Sequence, residues 1–487
     1  MPGTHPKWGP DFNRYFEVHE QRLDKAFDDY MASRETTSVM HDGLIPLRVL
    51  ETMLTIGDNM HEVGYQHGEK SLAVLMDTIR RYTELTQLGI FEYYYGYLLM
   101  RHVTRTVCVG TLLTAGVLKG FINDLQPGMS TAEASFALGE VAFDLMRQAL
   151  FKEDYVDVAI CLGIKPPKAD AFQCVGGLSF SDIEFLVTIV WENRRRLITL
   201  LNHGMLPGFP ALMFTLCEMT IMMQVPSKDR KWVQLQDIML RSYLVGTKEE
   251  RQTLRHVALH INLEIQNHRL LVDTHTDEED AREVVNSYVD MYHPAWNYDN
   301  TLAEVVLLDI ANILCQYVNS LLTPKLADCI PNVARTALER IWLEIDKESN
   351  CLLPIIRLGF TRKDLWDRVP PRYEKDFSWM FIETDLMGLL GRVVLMITRE
   401  GDKPDKWDYF RKDMEDGLRH AFISDWTKVQ DYLKTLEMGI VPTDVPRRII
   451  GEAINAWSVF GPEPGQTEQT TVAVDVSKRF IATKGAK

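Results

Sequence analysis

The residues with the clearest potential for chemistry lie in one stretch, residues 255–269, which reads RHVALHINLEIQNHR. His256, His260, Glu264 and His268 recur every four residues, so successive side chains are rotated by only about 40° around an α-helix. Two histidines at this spacing can bind one zinc ion, and a carboxylate can complete a three-ligand catalytic site. The spacing therefore makes His256, His260 and Glu264 candidate metal ligands.

A structural interpretation competes with this metal site. One helix cannot surround a metal with ligands spread over three turns, so a second helix would have to contribute. With 13 histidines in 487 residues, about 0.3 His-x3-His pairs are expected by chance, so one such pair is weak support. The histidines also lie between two apolar stripes of the same helix, and we favour a polar seam between them. The first stripe is Leu254, Val257, Ala258, Ile261, Ile265 and Val272, and the second is Leu259, Leu263 and Leu270.

Three other groups of residues resemble metal sites less closely. His61 and His67 in HEVGYQH are six residues apart, which places them about 120° apart on a helix. The pair His41-Asp42 has a polar, turn-like flank, and no matching ligands follow it. The acids of DTHTDEED, which begins at Asp273, fall in the first turn of a helix, where they complement the helix dipole. We expect a structural role for all three groups.

No motif of a known enzyme class accompanies these residues. GxxxxGK[ST], GxGxxG and GxSxG do not occur, so nucleotide-binding and α/β-hydrolase functions lose their usual support. Class I terpene synthases are also all-helical, but Asp28-Asp29 lacks the later acid of DDxxD and no NSE-type motif follows. We therefore expect a binding or scaffold role without a cofactor. The alternative is a metal-dependent helical enzyme that uses His256, His260 and Glu264.

Charge and cysteine content restrict the partners and the compartment. The chain has 68 acidic and 53 basic residues, and its net charge of -15 repels nucleic acid and anionic lipid. Its seven cysteines are scattered without a CxxC pair, which argues against a zinc ribbon or a redox site. The opening residues, MPGTHPKWGPDFNRYF, contain no apolar segment of a secretory signal. These features predict a cytoplasmic protein with reduced cysteines, a protein partner and no nucleic-acid partner.

One basic run stands out against this acidic background. Arg194, Arg195 and Arg196 directly follow the apolar stretch IEFLVTIVWEN. Cations at the end of a helix suit the helix dipole. We therefore interpret the run as the solvated end of an apolar helix.

The most apolar stretch, residues 91–124, raises the question of a membrane span. A span needs about 20 apolar residues, whereas the unbroken apolar part, residues 107–118, covers only about 18 Å as a helix. Extension in either direction takes in Arg105 or Lys119, and a basic residue near the centre of a span costs about 2.5–3.5 kcal/mol. Gly116 and Gly120 form a GxxxG, which can also let two buried helices approach closely. We predict a buried core helix of a soluble protein rather than a span.

Helix start and stop signals recur along the whole chain. Capping-box spacings predict helix starts, and NHGMLPG predicts a stop, with Gly204 in the left-handed cap conformation. The capping pairs are Ser130/Glu133, Ser181/Glu184, Thr247/Glu250, Thr276/Glu279 and Thr301/Glu304. The predicted helices include residues 210–225, 231–245, 248–272, 277–292, 302–322, 332–346, 376–398 and 407–422, and the only strand-like run is 470–476.

The apolar patterns of these helices predict how they pack. Residues 210–225 are apolar nearly all round, so that helix must be buried on several sides. The two stripes of residues 248–272 require neighbours on opposite sides, as in a multilayer domain or an α-solenoid. No repeat of about 34 to 47 residues returns in register. The prediction is an all-α protein, either a multilayer helical fold or a degenerate armadillo/HEAT-like α-solenoid, with a short flexible C-terminal tail.

Three stretches of the middle third also resemble a known family. They are FEYYYGYLLMRH, SFSDIEFLVTIVWENRRRLITLL and GMLPGFPALMF, and they are similar to an expanded family of uncharacterised proteins from basidiomycete fungi. The resemblance rests on packing residues and includes no catalytic motif. It implies a fungal protein of large helical architecture, and it implies no activity because none is established for that family.

Composition shifts along the chain predict its domain organisation. Residues 1–40 form an N-terminal arm with one helix, and residues 41–460 form the helical array. The array is divisible near 202–210 and 294–300, where turn-forming residues cluster. Residues 461–487 follow FGPEPGQTEQ and form the flexible tail.

Overall fold

The fold is all-α in the part of the chain that the structure describes. The computed structural model describes residues 4–5, 7–11, 44–58, 69–125, 131–151, 178–226, 229–247, 277–293, 308–346 and seven helical positions between 250 and 261. About 80% of these residues are helical, and the only strands among them form one short antiparallel hairpin. The all-α prediction is therefore confirmed for this part of the chain. The predicted helices 376–398 and 407–422, the strand-like run 470–476 and the predicted tail 461–487 lie outside it.

The elements are numbered here in chain order. They are β1 (Thr4–His5), β2 (Gly9–Pro10), α1 (Leu47–Asp58), α2 (Glu69–Thr86), α3 (Tyr94–Thr114), α4 (Leu118–Asp124), α5 (Thr131–Phe151), α6 (Phe180–Glu192), α7 (Arg194–Asn202), α8 (Phe209–Met222), α9 (Arg230–Val245), α10 (Glu278–Tyr292), α11 (Leu308–Leu321), a 3-10 helix (Pro324–Cys329) and α12 (Ile330–Asp346).

The chain divides into two compact units, Met1–Asp273 and Thr274–Lys487. The predicted boundary at 202–210 lies inside the first unit, where α7 and α8 both contact α9. The predicted boundary at 294–300 lies outside the described residues. The division after Asp273 follows the end of the predicted helix 248–272 directly.

Two central helices organise the first unit. α3 contacts α1, α2, α4, α5 and α8, and α8 contacts α3, α5, α6 and α9. Every residue from 94 to 109 of α3 and from 209 to 220 of α8 is buried. The prediction that residues 210–225 are buried on several sides is thus confirmed for α8. α8 is apolar nearly all round, so it must be covered by neighbours on every side. α3 is covered over residues 94–109 although it also carries polar and basic residues.

The apolar stretch 91–124 is interrupted by a turn. α3 ends at Thr114, and Gly116 adopts a left-handed conformation with φ of +72°. The N–H of Gly116 donates to the Leu113 carbonyl oxygen and the N–H of Val117 to that of Leu112, both at 3.0 Å. This is a Schellman motif, which ends a helix by satisfying its last carbonyls. The run 107–118 is therefore not one helix, because α4 begins at Leu118 after this turn.

Close helix packing depends on different glycines from those that the sequence suggested. A Cβ atom on Gly116 or Gly120 would meet no other atom of the described residues within 4 Å, so no GxxxG contact forms in that part of the chain. A Cβ atom on Gly139 of α5 would lie 2.7 Å from the Cα and N atoms of Gly208. Gly208 precedes α8 with φ of +81°, and its own Cβ would lie 2.5 Å from the Cys108 sulfur on α3. The junction of α3, α5 and α8 thus leaves no room for a side chain.

Helix starts follow capping chemistry, in part at other residues than predicted. Thr247 and Glu250 form the predicted capping box, with N···O distances of 2.9 and 3.2 Å. For α6 the prediction of Ser181 is wrong, because Ser179 is the cap residue and pairs with Asp182. The prediction of Thr276 for α10 is also wrong, since Asp277 accepts from the Glu279 N–H. Both actual caps satisfy free N–H groups at the helix start, as the predicted ones would have done.

The predicted stop after α7 is confirmed. Gly204 is left-handed with φ of +65°. Its N–H donates to the Leu201 carbonyl oxygen, and the N–H of Met205 donates to that of Leu200, both at 2.9 Å. The pattern is again a Schellman motif.

The second unit is built around α10. This helix contacts α11, α12 and the 3-10 helix, and its inward face buries Val284, Val285 and Tyr288. Arg282 on α10 donates two hydrogen bonds to the Asp328 carboxylate of the 3-10 helix. The predicted helices 302–322 and 332–346 correspond to α11 and α12 over the residues described.

The glycine junction generates a stability prediction. Gly139→Ala places a methyl group against backbone atoms that cannot rotate away, so we expect it to lower the free energy of unfolding by about 1–3 kcal/mol. Gly110→Ala on α3 is the matched control, because its Cβ would meet nothing within 4 Å. Alanine is favoured over glycine inside a helix, so the control should be neutral or stabilise by up to about 1 kcal/mol. Urea unfolding measures both, and equal effects would contradict the close approach of Gly139 and Gly208.

Candidate functional site

The predicted metal ligands lie outside the described residues. His256, His260, Glu264 and His268 are among the residues that the structure does not describe. Four positions of the first apolar stripe on the same segment are described, and they are helical and buried: Leu254, Val257, Ala258 and Ile261. This agrees with an apolar stripe on that side of the predicted helix. The metal site itself stays a prediction.

The weaker metal candidates give no site in the described part of the chain. His41, Asp42, His61 and His67 lie outside it. Where residues are described, no group of three or more histidine, cysteine, aspartate or glutamate side chains is placed to hold a metal ion. The acids at residues 278–280 occupy the first turn of α10, as expected for residues that complement the helix dipole.

The basic run is not a solvated helix end, so that interpretation was wrong. α6 ends at Glu192 and a new helix, α7, begins at Arg194. The Arg194 Nε atom lies 3.1 Å from the Asp237 Oδ2 atom of α9, and the two side chains are only 12% and 7% exposed. Arginines at the start of a helix oppose the helix dipole. A buried carboxylate beside Arg194 offsets that effect.

Asp237 also pairs with a second arginine. The Nε atom of Arg241, which is fully buried on α9, lies 3.1 Å from the Asp237 Oδ1 atom. One carboxylate therefore contacts two guanidinium groups through its two oxygens. Separating ions from water is costly, and such a group is stabilising only when the geometry and hydrogen bonds are good. The arrangement joins α7 to α9 inside the first unit.

The neighbouring arginines extend this connection on the surface. The guanidinium groups of Arg194 and Arg230 lie 4.2 and 4.8 Å from the ring centre of Trp191, which indicates cation–π contacts. Arg196 pairs with Glu92 at 2.9 Å, in the turn between α2 and α3. These contacts connect α6 to α9, and α7 to the turn between α2 and α3.

A polar row crosses the buried face between α1 and α3. The His102 Nε2 atom lies 2.9 Å from the Leu50 carbonyl oxygen, to which it donates. Arg105 donates to the Leu54 carbonyl oxygen at 3.1 Å, and Arg101 donates to the Tyr97 hydroxyl at 3.0 Å. All three basic side chains are buried. The hydrogen bonds of His102 and Arg105 hold α1 against α3, whereas that of Arg101 lies within α3. All three basic groups therefore serve the structure.

The buried thiol of Cys108 also serves packing rather than reactivity. Burial raises the pKa of Cys108 to about 12, although Arg105 acts in the opposite direction. The thiolate is the nucleophilic form of cysteine, so this side chain stays a neutral thiol near pH 7. Its sulfur lies 3.8 Å from the Gly208 carbonyl oxygen. Cys108 is a packing residue of the glycine junction.

An ion pair joins α2 to the start of α6. Arg80 donates to the Asp182 carboxylate at 2.7 Å. The hydroxyl and the N–H of Ser179 donate to the other oxygen at 2.7 and 2.8 Å. Burial by itself raises the pKa of Asp182, but the hydrogen bonds from Arg80 and Ser179 outweigh it and lower the pKa below 3.8. This carboxylate therefore caps a helix and crosslinks two helices.

Aromatic side chains form a second feature, which we call the aromatic socket. It consists of Tyr82 on α2 and Tyr95 on α3, whose ring centres are 5.3 Å apart. Trp8, in the turn of the β1–β2 hairpin, contacts both rings, at 5.2 Å from Tyr82 and 5.1 Å from Tyr95. Its backbone carbonyl accepts a hydrogen bond from the Tyr95 N–H at 3.1 Å. An extended segment is thus seated between two helices.

The two hydroxyls of the socket differ. Tyr95 donates to the Ile45 carbonyl oxygen at 2.6 Å. The Tyr82 hydroxyl is buried and has no hydrogen-bond partner among the described residues. Burial raises the pKa of both tyrosines, so both hydroxyls stay protonated. The Tyr82 hydroxyl is consequently an unsatisfied donor inside the protein, which is unusual for a buried polar group.

Sequence reasoning missed both the polar row and the socket. FEYYYGYLLMRH was interpreted as part of an apolar core helix and as a stretch of packing residues, and the hairpin at the N-terminus was assigned to an arm with one helix. The cluster of tyrosines in FEYYYGYLLMRH was the available sign of an aromatic contact. It did not show which rings would meet, because Trp8 contacts tyrosines that are more than seventy positions away in the sequence.

Comparisons with known proteins add no relative. No family model, no curated protein and no solved structure matches the chain. Among the described residues, no single helix is both long and apolar enough to cross a membrane. α3 and α4 meet the length and composition requirement only when taken together, and they are bent by 106° where they join.

The Asp237 ion group generates a second prediction. Asp237→Ala removes the carboxylate from the fully buried Arg241, so we expect a loss of about 3–5 kcal/mol in the free energy of unfolding. Asp77→Ala is the matched control, because Asp77 pairs with Arg81 at 2.9 Å with both side chains about half exposed. The control should lose less than about 1 kcal/mol. Chemical denaturation compares the two, and similar losses would contradict a special role for Asp237.

Asp182 generates a prediction for acid. Its pKa is lowered in the folded state, so its contribution is fully present above the unfolded-state pKa of about 3.9 and is lost as the pH falls through the folded-state value. The stability of the wild-type protein should therefore fall more steeply between pH 5 and pH 2 than that of Asp182→Asn. Ser179→Ala, which removes one donor and leaves Arg80, should be intermediate. Equal acid sensitivity in all three proteins would rule out this carboxylate as a source of the effect.

Proposed function

We propose that the protein is a helical scaffold that binds another protein and has no catalytic activity. The observation that carries the proposal is the use of its buried ionisable side chains. Asp237, Arg241 and Arg194 join helices, and His102 and Arg105 bond to backbone carbonyls. A catalytic group must instead face a space where substrate can approach within hydrogen-bond distance.

The other elements of the proposal follow from composition. The net charge of -15 makes a protein partner more suitable than a nucleic acid. Cys108, Cys217 and Cys329 are free and buried, which suits the reducing environment of the cytosol. The helices are proposed to be arranged as a multilayer array or a degenerate α-solenoid, since two-sided burial of α3 and α8 suits either arrangement.

The competing function is a metal-dependent enzyme at His256, His260 and Glu264. One double variant, His256→Gln with His260→Gln, separates the two functions. A scaffold should keep its partner and change in stability by only about 1–2 kcal/mol, the usual range for a point change. A metalloenzyme should lose its metal, because two of three ligands are gone.

The measurement uses wild-type and variant proteins purified in parallel. Affinity capture with crosslinking identifies a stoichiometric partner, and elemental analysis after dialysis measures zinc in the same samples. We expect the same partner with both proteins, no stoichiometric zinc and no rise in melting temperature when zinc is added. One equivalent of zinc in the wild-type protein, absent from the variant, would overturn the scaffold proposal, and so would failure of the wild-type protein to capture any partner.

A further inference from the structure

The β1–β2 hairpin packs against α2 and α3 through its turn and its second strand. Trp8 is 7% exposed and supplies the only ring that enters the aromatic socket among the described residues of the hairpin. Asp11 forms an isolated bridge with Tyr93, and His5 lies with its ring centre 5.6 Å from that of Tyr93. The strands otherwise pair with each other, with Thr4 opposite Pro10. Gly9 and Pro10 are buried beside Trp8, and β2 packs against α3. Among the described residues, the indole ring of Trp8 is the part of the hairpin that reaches between α2 and α3.

The backbone contact has a clear physical basis. Tyr93 is the cap residue of α3, and its side chain makes no capping hydrogen bond. The first N–H groups of a helix lack partners within the helix. The Trp8 carbonyl oxygen supplies one for Tyr95, at 3.1 Å. Any extended peptide that places a carbonyl at this point can make the same bond.

A tryptophan from another peptide could make the same ring contacts as Trp8. Trp8 meets Tyr82 at 79° and Tyr95 at 64°, which are the edge-to-face arrangements that aromatic rings prefer. The Tyr82 and Tyr95 side chains are fully or almost fully buried with Trp8 in place. The recognition elements of the socket are thus an indole-sized apolar space and, beside it, the Tyr95 N–H, which has no acceptor within α3.

The hairpin leaves one polar group of the socket unsatisfied. The Tyr82 hydroxyl has no hydrogen-bond partner in the described part of the chain, and a buried donor without a partner lowers stability. A different occupant that brings an acceptor to this hydroxyl would bind better than the hairpin does. The hairpin is consequently a good but incomplete fit to the socket.

We propose that the aromatic socket is a binding site for an extended peptide segment that carries a tryptophan, and that the β1–β2 hairpin occupies it as an exchangeable intramolecular ligand. Binding of such a partner displaces Trp8 and bonds its own backbone carbonyl to the Tyr95 N–H. Because the hairpin belongs to the same chain, its high effective concentration weakens the apparent affinity of every competing peptide. The inference rests on the proposed protein-binding function.

The test uses the full-length chain and its own peptide, MPGTHPKWGPD, labelled with a fluorophore. Trp8→Ala in the full chain empties the indole space, and circular dichroism confirms that the helices remain. Fluorescence anisotropy should show that the peptide binds the Trp8→Ala chain at least about tenfold more tightly than it binds the wild-type chain, since the intact hairpin competes. A peptide in which the tryptophan is replaced by alanine is the control and should bind neither chain. Equal binding to both chains, or no binding to the Trp8→Ala chain, would overturn the proposal.

A second measurement avoids the variant, so that a folding defect cannot obscure the result. Hydrogen exchange of the Tyr95 amide in the wild-type chain should occur through local opening of the hairpin, faster than exchange of amides in the middle of α3. An excess of unlabelled peptide should leave the exchange of the central amides unchanged. If the Tyr95 amide instead exchanges only through global unfolding, at the same rate as the central amides, the hairpin is a fixed part of the fold. Both measurements use only the purified chain and its own peptide. They can therefore be interpreted even if the capture experiment finds no cellular partner.

Discussion

The burial of α3 on all sides is the constraint on which the first unit depends. A helix without a solvent face can keep basic residues only if each is hydrogen-bonded inside the protein. His102 and Arg105 meet this requirement by donating to carbonyl oxygens of α1. The position of α1 is thereby coupled to the sequence of α3. The same burial places Tyr95 and Cys108 against the hairpin and α8, so the socket and the glycine junction are both consequences of one buried helix.

Charge plays a related part around α9. Asp237 holds two arginines from different helices, and the break between α6 and α7 at Asn193 is what turns Arg194 toward it. The buried amide of Asn193 donates to the Ile189 carbonyl oxygen at 2.7 Å and lies against Gly89. Many ion pairs in proteins lie on the surface and contribute little to stability. Here the ion pair of Arg194 with Asp237 is largely buried and connects α7 to α9. This use of charge favours a rigid framework over a reactive centre.

A rigid framework and an exchangeable segment are complementary features of a binding protein. Tyr82 and Tyr95 belong to α2 and α3, which pack on each other, whereas Trp8 belongs to a short two-stranded hairpin that packs on α3. Rigid aromatic groups lose little conformational entropy on binding, which makes them effective anchors in interfaces. In the proposed exchange, the unsatisfied Tyr82 hydroxyl adds specificity, because a buried donor discriminates between occupants that can and cannot accept from it.

The sequence by itself determined the all-α class, the burial of α8 and the stop at Gly204, because these depend on local periodicity and turn chemistry. Its capping pattern identified helix starts to within a few residues, with Ser179 and Asp277 in place of Ser181 and Thr276. Only the tertiary structure decided the partners of Arg194, the close approach of Gly139 and Gly208, and the seating of Trp8. These contacts join residues far apart in the chain, and many alternative pairings satisfy the same local pattern. Which pairing forms depends on how the buried helices fill space together, and a periodic pattern along one helix contains no information about that.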